Sequence, residues 1–193
     1  KDGVIGRDFG IVEHDGGLYF AGINADASSG LDNSWNYELQ RLDLSSGTVS
    51  LVADLSALVG ALPDGTPAAD GGYPGNFATF DGELYFTANA NGFGQELYKL
   101  ASDGTVSLVA DFYPGEPGSS PTGLTEFNGA LYFSASNGSV GDELYRLDSN
   151  GDISLVADIA LGSKSSVINS LTEFNGSLYF GARNSANISS VYR

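Results

Sequence analysis

Apolar positions along the chain fall into short alternating runs, four to a unit, and the unit recurs. Its clearest copy is 124–158, LTEFNGALYFSASNGSVGDELYRLDSNGDISLVAD. Leu124–Phe127 breaks at Asn128-Gly129, and Leu131–Ser136 runs into a loop, Asn137–Asp142. Glu143–Leu147 breaks at Asp148–Gly151, and Ile153–Asp158 closes the unit. Each run is aromatic or β-branched with a period near two, and Asn-Gly sits at the breaks. That combination predicts strands joined by tight hairpins.

LYF marks the second strand of every unit, at Leu18–Phe20, Leu84–Phe86, Leu131–Phe133 and Leu178–Phe180. The last three copies are 47 residues apart and the first gap is 66. First strands are expected at Ile11–His14, Phe77–Phe80, Leu124–Phe127 and Leu171–Phe174. Third strands begin at Glu38, Glu96, Glu143 and Ser190; fourth strands read LVAD from Leu51, Leu108 and Leu155. Four strands per unit of about 45 residues is the period of a propeller blade. The expected fold is therefore all-β: one domain, 1–193, a four-repeat β-propeller with four-stranded blades. Its repeats span 9–55, 76–112, 123–159 and 170–193. The last blade is either incomplete or closed by the N-terminal segment, where Asp2–Gly6 weakly echoes Asp103–Ser107.

In such an up-and-down plan the first-to-second and third-to-fourth turns share one face, and all are short. The remaining loops share the other face, and the length variation falls there. Phe20 to Glu38 spans 18 residues against 10 for Phe86 to Glu96. The link Leu55–Asn76 is also longer than its counterparts. Both insertions belong to one sector, and loops on a rigid scaffold are where binding concentrates.

Charge narrows the functions. The net charge is −16, from 24 acidic and 8 basic residues, which disfavours a nucleic-acid partner, since phosphate contacts need clustered Lys and Arg. Acidic character fits solubility in extracellular surroundings, or hard oxygen ligands for Ca²⁺. Cysteine is absent, which excludes disulfides and thiolate zinc sites. No apolar run approaches membrane-spanning length, so membrane insertion is not expected. Methionine is absent even at position 1, the expectation for a mature secreted chain, a processed product or a fragment.

The motifs NGxLYFxA, GxELYxLDxxG and LVAD, with SSPxxLTxxNG, resemble the ELWxxDGT (hyalin-like) propeller repeat of large bacterial surface and secreted proteins. The likeness is closest over 80–180, in Asn91–Thr105 and Asp111–Ala135, with Tyr98 and Tyr145 where the family usually has Trp. The strand plan also resembles quinoprotein-type repeats, whose cofactor-binding residues have no visible counterpart, and no organic cofactor is expected. The resemblance implies an extracellular or cell-surface propeller with roles in adhesion or display. It carries no catalytic set.

Candidate chemistry follows. His14, the single histidine, stands where the other repeats have Phe80, Phe127 and Phe174, so packing rather than base catalysis is expected. No nucleophile elbow or phosphate loop occurs, and the chain is not expected to be an enzyme. Glu13, Glu126 and Glu173 are repeat equivalents near the ends of the innermost strands. Three acids around a narrow axis could hold a cation, Ca²⁺ above all, with waters; the alternative is solvated residues beside tight turns. Glu38, Glu96 and Glu143, and Asp54, Asp111 and Asp158, recur in register and are expected to accept loop amides. Asp148–Asp152 superficially resembles a calcium loop, but a hairpin turn accounts for it.

Trp35 has no repeat equivalent and lies in the first insertion among Asp32, Asn33, Asn36 and Tyr37. An aromatic ring beside amides and acids suits sugar binding; the alternative is a ring that anchors its own loop. Asp70 and Tyr73, in the second insertion, would flank the same pocket. The expected function is a binding or adhesion module for a glycan or polysaccharide, or for another surface protein. A structural spacer and a calcium-dependent peptide-binding module remain alternatives.

Overall fold

A computed structural model describes residues 10–23, 37–55, 72–90, 94–114 and 118–193. The described residues form strands and connections, with no helix long and apolar enough to cross a membrane. Sheet one holds β1 (Ile11–His14), β2 (Gly17–Ile23), β3 (Tyr37–Asp43) and β4 (Val49–Ala53). Sheet two holds β5 (Gly75–Phe80), β6 (Glu83–Asn89), β7 (Gln95–Leu100) and β8 (Val106–Ala110). Sheet three holds β9 (Thr122–Phe127), β10 (Ala130–Ala135), β11 (Glu143–Asp148) and β12 (Ile153–Ala157). Among the described residues sheet four holds β13 (Asn169–Phe174), β14 (Ser177–Arg183) and β15 (Ser189–Tyr192), and Asp2–Gly6, the segment named as an alternative closing strand, lies outside them. Every sheet is an antiparallel meander in chain order.

Local chemistry sets each hairpin. The first-to-second turns place Asp15, Asp81, Asn128 and Asn175 at φ of 44 to 51°, each followed by a glycine that is also at positive φ. Two successive left-handed residues make the type I′ turn, whose twist matches that of the flanking strands, and Asn-Gly and Asp-Gly tolerate it best. The third-to-fourth turns are closed by an aspartate. Asp43 Oδ1 accepts the amides of Ser45 and Ser46, and Asp103 Oδ1 accepts that of Thr105. Asp148 Oδ1 accepts the amides of Asn150 and Asp152, so this segment is a hairpin turn, as expected.

Alternation then divides each sheet into two faces. On sheet two, Leu84, Phe86, Tyr98 and Leu100 point one way, since Leu84 pairs with Leu100 and Phe86 with Tyr98. They meet Tyr19 and Leu39 of sheet one in a single core. Tyr85 and Leu97, on the opposite face, pack with Leu131, Phe133, Tyr145 and Leu147 of sheet three. Leu144 of sheet three meets Phe180 and Ala182 of sheet four. The same junction is thus built three times: a Tyr/Leu face of one sheet against the Leu/Phe/Ala face of the next. The first strands succeed one another as neighbours, β1 beside β5, β5 beside β9 and β9 beside β13.

A register shift recurs where the third strand meets the fourth, at Leu39/Gln40, Leu97/Tyr98 and Leu144/Tyr145. Bulges re-aim side chains. The glutamate just before each shift is fully buried: Glu38, Glu96 and Glu143. Leu55 N donates to Glu38 Oε2, Ser119 N to Glu96 Oε1, and Ile159 N and Ala160 N to the two oxygens of Glu143. The three acids tie the link that leaves each sheet back to its third strand, the structural task expected of them. For the recurring aspartates the outcome differs: Asp111 Oδ1 and Asp158 Oδ1 are buried without a hydrogen-bond partner.

Candidate functional site

Two of the seven ligand candidates fall within the described residues, and they meet. Tyr37 opens β3 and Tyr73 lies just before β5, one at the end of each insertion. Tyr73 N donates to Tyr37 O at 3.1 Å. Their rings stand 5.9 Å apart with planes tilted by 41°. Both side chains are half-buried. Trp35, Asp32, Asn33, Asn36 and Asp70 lie outside the described residues.

The backbone around Tyr73 is tightly determined. Gly72 is pressed against the Leu55 side chain, with no room for a Cβ, and its carbonyl accepts Asn89 N at 2.7 Å. Leu55 is fixed in turn through Glu38. Tyr73 itself has φ of 45°, a left-handed conformation that is uncommon for a bulky residue and is held only where the surroundings over-determine it. The result is a fixed aromatic pair at the base of both insertions. Each ring offers an apolar face and a phenol that can donate or accept, a combination that stacks on a sugar ring or on another aromatic group.

The proposed cation ring is not assembled. Among the described residues no three His, Cys, Asp or Glu side chains gather to hold a metal ion. Glu126 Oε1 accepts Gly129 N at 3.1 Å, and Glu173 Oε1 accepts Gly176 N at 2.8 Å. Each therefore caps its own hairpin, and Glu13, at the equivalent position, is also exposed. The E-F-N-G spacing carried the signal for this role, since the third residue after the glutamate is the turn glycine. His14 packs edge-on against Tyr19 with ring centroids 5.8 Å apart, in keeping with the phenylalanines of the other repeats.

A groove of about 510 Å³ between sheets three and four was not expected. Phe127, Tyr132, Leu144, Val156, Phe180 and Tyr192 line it. It lies beside β15, the last strand of the three-stranded sheet. The sequence signal was the missing fourth copy of LVAD.

The described residues thus define an all-β repeat protein of consecutive antiparallel sheets. No family model matches the chain, and no curated protein matches it. Solved structures do. A proposed gluconolactonase shares 19% identity at a TM-score of 0.49, over 90% of this chain and 57% of that one. TolB from Acinetobacter baumannii shares 16% at 0.46, over 91% and 40%. A puromycin-hydrolyzing peptidase from Mycobacterium tuberculosis shares 10% at 0.48, over 87% and 24%. The chain therefore spans little more than half the length of the first and less of the others. These findings correct one expectation. Structures similar to this chain include enzymes, among them a puromycin hydrolase at 17% identity, so the expectation that the chain is not an enzyme is withdrawn. At such identities nothing these proteins act on is carried over to this chain.

Proposed function

We propose that the four sheets are the blades of a β-propeller of the ELWxxDGT repeat type, and that its long-loop face is an extracellular glycan-binding surface. Repetition of one sheet-to-sheet junction and the succession of the four first strands support the blade reading. The repeat motifs NGxLYFxA and GxELYxLDxxG support the family. The observation that carries the binding reading is the contact between Tyr37 and Tyr73 at 5.9 Å. It joins the ends of the two insertions, and both residues are half-buried rather than enclosed in the core. Ligand sites pair apolar lining with a few placed polar groups, and Trp35, Asp32, Asn33, Asn36 and Asp70 belong to the same insertions. Aromatic faces would cover the apolar side of a sugar ring, while amides and carboxylates take its hydroxyls.

The test is a glycan-array assay with and without calcium, on the native chain beside Trp35→Ala and Tyr73→Ala. Selective binding lost in both variants supports the reading. Absence of binding by a folded native chain removes it. A second reading, a spacer or display module of a large surface protein, is favoured by the exposed apolar side chains of Phe174 and Val191 on one face of sheet four.

A further inference from the structure

Asn-Gly occurs five times in the chain. Four of these steps lie within the described residues: Asn128-Gly129, Asn137-Gly138, Asn150-Gly151 and Asn175-Gly176. An asparagine followed by glycine can react with its own backbone. The glycine nitrogen attacks the side-chain carbonyl carbon, and glycine, without a Cβ, leaves that approach least hindered. Two groups govern the step. The glycine N–H must give up its proton, and the asparagine Oδ1 takes on negative charge as the bond forms.

Three of the four steps are arranged against this reaction. Gly129 N donates to the Glu126 carboxylate at 3.1 Å, and Gly176 N to that of Glu173 at 2.8 Å. Gly151 N donates to Asp148 O at 3.0 Å. A carboxylate or carbonyl acceptor holds the proton on the nitrogen, and a carboxylate also opposes the charge that develops beside it. Asn137-Gly138 is arranged the other way. Asn137 Oδ1 accepts two backbone amides, Ser139 N at 2.9 Å and Val140 N at 3.0 Å. Two N–H groups aimed at one carbonyl oxygen stabilise an oxyanion. Gly138 N donates to a neutral hydroxyl, Ser136 Oγ, at 3.3 Å, and that hydroxyl donates onward to Val140 O. The step is also held in place. Gly138 has φ of +77° and lies against the Tyr113 ring, where a Cβ would come within 2.5 Å of it.

We infer that Asn137 is a self-modifying residue, the Asn-Gly step among these four at which the folded chain deamidates. Gly138 N bonds to Asn137 Cγ, the Cγ–Nδ2 bond breaks, and ammonia leaves with the proton from Gly138 N. Water then opens the five-membered imide at either of its carbonyls, giving aspartate or isoaspartate. The amides of Ser139 and Val140 hold the oxygen of the tetrahedral intermediate. In the aspartate product they hold a carboxylate, a stronger acceptor than the amide oxygen it replaces. The conversion adds one negative charge to the connection between β10 and β11. The isoaspartate product also lengthens its backbone, and so changes the loop that the asparagine had closed.

The measurement is conversion at each step of the full chain, incubated at mildly alkaline pH both folded and in urea. Peptide fragmentation by mass spectrometry reads the four positions separately, and enzymatic methylation counts isoaspartate. In the folded chain Asn137 is expected to convert at least about tenfold faster than Asn128, Asn150 and Asn175, part of the ~10²–10³ that one oxyanion-hole donor supplies in an enzyme. In urea, where these hydrogen bonds are lost, the four rates converge. Ser139→Pro removes one of the two donors and should slow Asn137 by about tenfold. The other three steps serve as its internal reference, and circular dichroism checks its fold. An Asn137 that converts no faster than the others in the folded chain overturns the inference. So does a lead that survives in urea, or an unchanged rate in folded Ser139→Pro.

Discussion

Glu96 Oε1 accepts the backbone amide of Ser119 at 2.7 Å, across 23 residues of chain. The hydroxyl of Ser119 donates to the other oxygen of the same carboxyl. A buried side chain at the start of a third strand thus holds the link to the next sheet. Glu38 and Glu143 do the same for their own links. Removing one partner of a buried hydrogen-bonded group costs more than the bond was worth, because the other partner is left dry. Glu96→Ala should therefore lower unfolding stability by about 3 kcal/mol, and Ser119→Ala by only about 1 kcal/mol. Urea denaturation of the two variants checks the order.

The same carboxyl carries a pH signature. Burial pushes Glu96 above the ordinary carboxylate range, although the Ser119 hydroxyl and the amides of Ser119 and Tyr113 pull it down. A raised carboxyl holds its proton more firmly folded than unfolded. Its contribution is present below the ordinary value and is lost as pH rises through the raised one. Asp43 behaves in the opposite sense: the Ser45 hydroxyl, the Ser46 amide and Arg41 hold it well below the carboxylate range, so its contribution is lost as pH falls. Glu96→Gln should flatten the fall in stability on the neutral side of the Glu96 titration and leave the acid limb intact. Denaturation midpoints across pH 3 to 8 would show both limbs; an unchanged neutral limb in the variant would remove Glu96 as its source.

Equivalent positions should differ in energetic weight according to what covers them. Leu144→Ala opens a cavity against Phe180 and should cost about 2–5 kcal/mol. Val191→Ala, at the same place in the next repeat but 77% exposed, should stay within about 0.5 kcal/mol. Equal losses in chemical denaturation would mean that Val191 is covered in the folded protein.

Backbone approach makes Gly118 sensitive. Its φ is +76°, and an added Cβ would strike the backbone at Gln95, against which the neighbouring link is bonded through Ser120 N and Gln95 O. Gly118→Ala should destabilise by about 1–3 kcal/mol from crowding alone, with the positive φ adding to it. Thermal unfolding beside Gly104→Ala separates the two effects, since Gly104 also has positive φ but open space around it.

Much of this arrangement was legible in the sequence because the repeat supplied its own alignment. LYF located β2, β6, β10 and β14, and the missing fourth LVAD matches the three strands that sheet four shows among the described residues. Recurrence of Glu38, Glu96 and Glu143 in one register points to their shared task of accepting link amides. The same recurrence misled at Glu126 and Glu173, where equivalence suggested a shared axis and each instead closes its own turn. The unpartnered oxygens of Asp111 and Asp158 had no sequence signal, because a repeated residue type does not reveal whether its partner is in reach. Tyr37 and Tyr73 were named from their insertions, but their ring contact depends on Gly72 lying against Leu55, a packing relation that spacing does not encode.

A double-mutant cycle tests most directly whether the Tyr37–Tyr73 pair is a ligand surface. The affinity of the strongest-binding array glycan is measured by calorimetry on the native chain, Tyr37→Ala, Tyr73→Ala and the double variant. A loss of at least about tenfold is expected in each single variant, with the double variant little worse than either, since the rings act as one surface. A folded double variant that binds as well as the native chain would contradict it.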